Sequence, residues 1–225
     1  MIKLDHVSKE YTIAGESFFA LKDVSFEIQQ GEYTAILGPS GSGKSTIMHI
    51  MGLLDLPTEG KVFINNKDIS TYSDNELSRA RNEFIGFVFQ QFNLINKLTI
   101  LENILLPTIY TKKQLRFDAK IRAMELIQKF GLSGKEYSFP NKISGGQQQR
   151  VAIARALIMQ PQIILADEPT GNLDTKNGNA IMDLFEQLNK EDKVTIIIIT
   201  HEQDVADRTR RKLYIRDGQL FHKPK

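Results

Sequence analysis

Residues 38–46, "GPSGSGKST", place three glycines, a lysine and several hydroxyls between a short apolar run, "YTAIL", and a helical pattern. This is G-x-x-x-x-G-K-[ST] in the strand-to-helix context that its chemistry needs. Gly38, Gly41 and Gly43 let the backbone bend so that N–H groups point inward, and the following helix adds the positive end of its dipole. The expected cradle for phosphates comprises Gly38, Pro39, Ser40, Gly41, Ser42, Gly43, Lys44, Ser45 and Thr46. Lys44 places a cation on the outer phosphates, and the Ser45 hydroxyl is a ligand for Mg²⁺. An ordinary glycine turn before a helix is the bland alternative, and the flanking strand and helix weigh against it.

"IILADEPTGNLD" puts Asp167 and Glu168 just after a second apolar run. A carboxylate at a strand's C-terminal end, beside a phosphate loop, holds Mg²⁺ through its water shell. A second carboxylate next to it orients and polarises an attacking water. His201 directly follows "VTIIIIT". At a strand end of a parallel sheet it would point into the same crevice and donate to a terminal phosphate. Gln90 ends "IGFVFQ"; its amide oxygen would ligate Mg²⁺ or hold the water. His6, His49 and His222 have no such context and take no role. "KISGGQQQRVAIARAL", 142–157, carries two glycines and three glutamines into an apolar helix. Nothing nearby in the chain supplies it with a ligand.

The elements that must position these groups follow from periodicity. The N-terminus, "MIKLDHVSKEY", alternates apolar and charged residues and reads as a strand, not a signal peptide. Val24, Phe26 and Ile28 alternate likewise. Strands are expected at 33–37, in "KVFIN" and at 85–90, and a helix over 44–53. Capping boxes open helices at Ser73–Glu76 and Thr99–Glu102. The helical pattern runs on over 99–130, broken by Pro107 and stopped by Gly131. "QIILA" and "VTIIIIT" are apolar at consecutive positions, as in strands covered on both faces. Helical patterns separate them, which indicates an α/β domain with a mostly parallel sheet. "KLYIRDGQLF" reads as a hairpin turning at Asp217–Gly218.

The 225 residues suffice for one generous domain, and 41% hydrophobic with 25% charged is ordinary globular composition. A net charge of +2 argues against a dedicated nucleic-acid binder. With no cysteine, a disulfide framework and thiolate metal sites are excluded, and a cytosolic location fits. The longest strongly apolar run, 194–199, is too short to span a bilayer.

With these parts in order, the chain resembles the ATP-binding cassette of ABC transporters over essentially its whole length. "GPSGSGKST" is similar to the Walker A loop, and "IILADE" to Walker B with its catalytic glutamate. "ISGGQ" resembles the signature, "GNLD" the D-loop, Gln90 the Q-loop and His201 the switch histidine. Tyr11, after "VSKE", fits the aromatic residue that stacks on adenine. Ile143 stands where leucine is usual, an apolar exchange with little expected effect. "GFVFQQFNLI", "LTILENILLP" and "DEPTGNLD" resemble the cassettes of macrolide-export, lipoprotein-release, antimicrobial-peptide-export and cell-division systems.

The resemblance implies one ABC ATPase domain, 1–225. A RecA-like core with a mostly parallel sheet and an antiparallel β subdomain would take 1–90 and 144–225, and a helical subdomain 91–143. It implies ATP and Mg²⁺ as cofactors. Two copies would close head to tail around two ATP molecules, a twofold arrangement. Ser144, Gly145, Gly146 and Gln147 of one copy would cover the γ-phosphate held by the other, and Asp174 would link the two sites. Glu168 would be the base, with Lys44, Gln90 and His201 around it. Mg²⁺ would sit among Ser45, Gln90 and Asp167. An integral membrane permease is the implied partner, holding the cassette on the inner face of the membrane. Phe92, Leu94, Ile95 and Leu98 would either line an apolar groove for a short partner helix or be plain core of the subdomain. A regulatory role in signalling or cell division is the alternative. Chromosome-maintenance ATPases need long coiled-coil insertions absent here, and translation-factor relatives normally fuse two cassettes.

Overall fold

Four consecutive isoleucines, Ile196 to Ile199, have no exposed surface at all. They lie in the middle of a computed structural model that describes residues 1–111, 114–221 and 223; His222 lies outside the described residues. Ile197 and Ile199 join one apolar core, and Ile196 and Ile198 another. Side chains alternate across a strand, so a run apolar at every position is stable only with both faces covered. Full burial of each such side chain contributes about 1.5–3 kcal/mol.

The elements in chain order are β1 (Ile2–Ile13), β2 (Glu16–Ile28), β3 (Tyr33–Leu37), α1 (Lys44–Met51), β4 (Glu59–Ile64), β5 (Lys67–Asp68), α2 (Asp74–Phe84), β6 (Ile85–Val88) and α3 (Ile100–Leu105). There follow a 3-10 helix (Leu106–Tyr110), α4 (Ala119–Lys129), a second 3-10 turn (Pro140–Lys142), α5 (Gly145–Leu157), β7 (Ile163–Asp167), α6 (Thr175–Glu191), β8 (Thr195–Thr200), α7 (Gln203–Asp207), β9 (Arg211–Arg216) and β10 (Gln219–Phe221).

Six strands form one sheet in the order β10-β9-β3-β8-β7-β6. All neighbours in it run parallel except β10, which returns antiparallel on β9. Four more, in the order β2-β1-β4-β5, form an antiparallel sheet. The two sheets and α1 enclose the first core; α3, α4, α5 and α6 cover the opposite face and enclose the second. The chain is thus α/β, with a mostly parallel sheet, an N-terminal antiparallel sheet and a group of helices.

Both expected capping boxes are present, at Ser73–Glu76 and Thr99–Glu102. Three boundaries differ from the sequence reading. The helix expected over 44–53 ends at Met51, because Leu53 enters the left-handed region with φ 56°. The strand expected over 85–90 stops at Val88, where the chain turns and Phe92 N–H donates to Phe89 O. The helical pattern over 99–130 is two helices, with the 3-10 turn at Pro107 between them and a fresh N-cap at Asp118. Among the described residues no helix is long and apolar enough to cross a membrane.

Candidate functional site

The C-terminal ends of β3, β7 and β8 open on a cleft of about 1120 Å³. Parallel sheets bind ligands there because strand ends and helix starts converge on one edge. Tyr11, the exposed part of the 38–46 loop, Gln90, Asp167, Glu168 and His201 all line it. Those residues come from five separate stretches of chain, and the sheet order brings them together.

The loop's shape requires its glycines at two points. Gly43 has φ 108°, and a Cβ there would meet Ala20 O at 2.5 Å. A Cβ on Gly38 would lie 2.2 Å from Ile215 O. Two other strands therefore press on the loop from behind. The turn at Asp217–Gly218 adds a brace: Gly218 N–H donates to Ser42 O at 3.0 Å. Lys44 Nζ donates to Gly38 O and Pro39 O, both at 2.8 Å, so its ammonium lies folded over the loop. Burial pulls Lys44 below its ordinary value, while Glu168 and Asp167 oppose that. Ser45 is exposed beside it.

Asp167 ends β7, half-buried. Burial, and then the charge of Glu168, raises its carboxyl above the ordinary carboxylate value; His49 and Lys44 oppose the shift. Among the described residues no group donates a hydrogen bond to that carboxylate. An under-solvated anion beside a phosphate loop is suited to a hydrated cation. Among the described residues no group of three or more His, Cys, Asp or Glu is placed to hold a metal ion by itself. A hydroxyl, one carboxylate and one amide are a fitting donor set for Mg²⁺, which keeps waters and phosphate oxygens as its other ligands.

Glu168 stands in the left-handed region with φ 43°, a costly conformation for a residue with a side chain. Its carboxylate is held from one side by three donors of the β8 end. Thr200 Oγ1 donates at 2.9 Å, His201 N–H at 3.1 Å, and His201 Nδ1 lies 2.6 Å from Oε1. His201 was expected to face a phosphate. With Nδ1 on Glu168, Nε2 is the ring nitrogen left for that contact, and the imidazole is 64% exposed on the cleft side. Gln90 is exposed, and its neighbourhood is tied to the segment after Glu168: Asn172 Nδ2 donates to Gln90 O at 2.9 Å.

The second group of expected residues lies outside this cleft. Ser144 caps α5 in a capping box, accepting Gln147 N–H at 3.3 Å and donating its own N–H to Gln147 Oε1 at 2.9 Å. Among the described residues the Gly145 and Gly146 N–H groups have no acceptor, as the first turn of a helix dictates. Asp174 caps α6 through Asn177, accepting its N–H at 2.8 Å and its side-chain amide at 2.7 Å.

Two connecting residues escaped sequence reasoning. Gln149 is fully buried in α5, and its amide donates to Pro169 O at 2.6 Å and weakly to Phe89 O at 3.5 Å. It thus joins α5 to the segments carrying Glu168 and Gln90. Arg155 donates to Phe92 O at 2.8 Å and Asn93 O at 2.5 Å, where both residues have positive φ. Gln149 and Arg155, polar side chains set among the alanines, valine and isoleucine of α5, were the only signal. The turn also bears on the residues at 92–98. Phe92 packs towards Gly145 and Leu94 into the second core. A groove of about 700 Å³ nearby is lined by Leu54, Phe87, Phe89, Leu106, Tyr110 and Met159, with Arg79, Arg81, Glu83 and Arg155 among its polar residues.

The family model for the ABC transporter matches residues 21–171. An uncharacterised ABC transporter ATP-binding protein of Bacillus subtilis, YknY, is 51% identical over 223 residues, 98% of this chain and 95% of that protein. The macrolide export ATP-binding/permease protein MacB of Chlorobaculum tepidum is 48% identical over 97% of this chain, which spans 33% of MacB. The cassette MJ0796 of Methanocaldococcus jannaschii has been solved as a dimer. Its fold matches with TM-score 0.90 at 48% identity, over 100% of this chain and 98% of that one. A post-hydrolysis dimer of the same cassette, bound to ADP and phosphate, also matches with TM-score 0.90, at 47% identity and the same coverage.

Proposed function

The chain belongs to the ABC transporter family, and from that premise we propose that it powers a membrane permease that exports or extracts a substrate. It is an ABC-type ATPase, an ATP-binding subunit of the dimeric cassette type. The observation that carries the proposal is the convergence of Lys44, Asp167, Glu168 and His201 on one cleft.

ATP would lie with its phosphates on the 38–46 loop and its base against Tyr11. Bound Mg²⁺, held by Ser45, Gln90 and Asp167, would neutralise phosphate charge. Glu168 would take the proton of the attacking water, and His201, with both ring nitrogens protonated, would donate from Nδ1 to Glu168 and from Nε2 to the γ-phosphate. Catalysis is then mostly positioning and charge stabilisation around an in-line attack. Ser144, Gly145, Gly146 and Gln147 of a second copy would close the site, and Asp174 would link the two. The span 91–143 would move as a helical unit when they close. The groove beside Phe87 and Phe89 would take a helix of the permease, on the inner face of the membrane. Similarity to MacB supports export.

Lys44→Ala tests the reading. One charge-assisted hydrogen bond to phosphate is worth about 1.5–3 kcal/mol, so ATP affinity should fall roughly ten- to a hundredfold. Titration of purified protein with ATP measures it, and wild-type affinity would refute the phosphate site. Asp167→Asn should act on the metal instead. The Mg²⁺ concentration for half-maximal hydrolysis should rise roughly ten- to a hundredfold, as for groups that hold a cation through its shell. An unshifted Mg²⁺ titration would remove Asp167 from that role.

A further inference from the structure

Tyr11 has more holding it than a stacking surface needs. Its phenol donates to Asp55 Oδ2 at 2.9 Å. The other oxygen of Asp55 accepts from Lys9 Nζ at 2.6 Å and from Leu56 N–H at 2.8 Å. Lys9 Nζ donates also to Leu56 O at 2.8 Å. The carboxylate is thus fixed by three donors before any nucleotide arrives. Lys9 and Asp55 are mostly covered, their side chains 14% and 31% exposed. Burial, and then Asp55, holds the phenol above its ordinary value, so it remains a donor.

The arrangement has a direction. Lys9 Nζ lies 5.1 Å from the centroid of the Tyr11 ring, over one face. Phe18, the cross-strand partner of Tyr11, stands tilted at 6.0 Å between centroids. Tyr11 and Phe18 both line the cleft, and Lys9 already occupies one face of the Tyr11 ring. Asp55 N–H donates to His49 O of α1, the helix that begins at Lys44. The carboxylate therefore joins the ring on β1 to the helix that carries the phosphate loop.

We propose that Asp55 and Lys9 are positioning residues for the nucleobase, locking Tyr11 at a set distance from the phosphate loop. This rests on the reading of Tyr11 as the base platform. Without the lock, Tyr11 is a hairpin side chain whose ring must be ordered each time nucleotide binds, an entropic loss to affinity.

The test is steady-state hydrolysis by the purified chain, with Mg²⁺–tripolyphosphate as a competitive inhibitor that has phosphates and no base. Asp55→Ala and Tyr11→Phe should each raise KM for ATP about fivefold, the fold-change of one ordinary hydrogen bond. Asp55→Ala should leave kcat near wild type, and the double variant should be no worse than either single one. Asp55→Asn, which keeps an acceptor for the phenol, should recover most of the affinity. Inhibition by tripolyphosphate should be unchanged throughout. Tyr11→Phe removes only the hydroxyl and carries the test even where Asp55→Ala fails to fold. Additive effects, or tripolyphosphate affinity falling with that for ATP, would overturn the proposal. If Tyr11→Ala raises KM while Tyr11→Phe does not, the lock alone fails. If Tyr11→Ala leaves KM unchanged, the base platform fails with it.

Discussion

Glu168→Gln should bind ATP normally, lose roughly 10²–10⁴-fold in turnover, as expected for removal of a general base, and accumulate as an ATP-bound dimer. The structure says why the exchange is clean. Glutamine has the shape of glutamate, and the pocket accommodates an amide. Thr200 Oγ1 now donates to Oε2 at 2.9 Å, and His201 N–H to Oε1 at 3.1 Å. With the amide oxygen toward His201, the NH₂ faces Thr200, whose hydroxyl turns to accept. The strained backbone at 168 and the turn through Pro169 keep their supports. What the variant lacks is a group that can take a proton from water. Phosphate release measures the loss, and size-exclusion chromatography with ATP measures the dimer. Undiminished turnover would exclude Glu168 as the base. Full loss without dimer would instead point to damaged closure.

Gly145→Asp is expected to leave the single subunit intact and stop hydrolysis. A Cβ at Gly145 would sit 3.6 Å from Leu173 and 3.7 Å from Phe92, ordinary contact distances. Position 145 is the first residue of α5, where a carboxylate complements the helix dipole by about 0.3–1 kcal/mol. The fold should therefore tolerate the change or gain slightly. Across a dimer interface the same charge would face a partner's γ-phosphate. Two like charges about 4 Å apart at an effective dielectric near 20 repel by about 4 kcal/mol, roughly a thousandfold. ATP titration of the monomer should give wild-type affinity, while phosphate release and ATP-dependent dimerisation both collapse. Parallel loss of monomer affinity would mean that the stretch serves its own subunit. Gly146 is a poorer probe, since a Cβ there would come within 2.6 Å of the Asn177 side chain and disturb the cap of α6.

These two variants differ in how far the sequence could foresee them. Glu168 follows an apolar strand and precedes a proline, so its place at a strand end was legible. That its carboxylate is held by the end of β8, 33 residues on, was not. For the signature stretch, the missing acceptors of its first turn follow from helix geometry alone. The spare room around Gly145 depends on Phe92 and Leu173, which reach it from other parts of the chain. The groove was less legible. Apolar residues at 92–98 were read as groove lining or as core, and after the left-handed turn at Phe92 and Asn93 Leu94 packs on the second core.

What the sequence by itself determined is local or periodic. The 38–46 loop is one contiguous stretch, and it lies between β3 and α1 where the sequence reading put it. The two capping boxes close within four residues, and both are present. The buried strands declare themselves by runs that only a doubly covered sheet can hold, and the final hairpin by Asp217–Gly218. Tertiary structure alone decided the contacts made between distant elements. Glu168 meets His201, Asp55 meets Tyr11 and Lys9, Gln149 reaches Pro169, and Gly218 braces Ser42. Each joins segments separated by crossovers, and a hydrogen bond between such segments imposes no spacing on either of them. Glu168 meets His201 because the parallel strands β7 and β8 bring their ends to one edge, and Asp55 meets Tyr11 because the antiparallel sheet packs on α1; both follow from how the elements assemble and not from any single stretch.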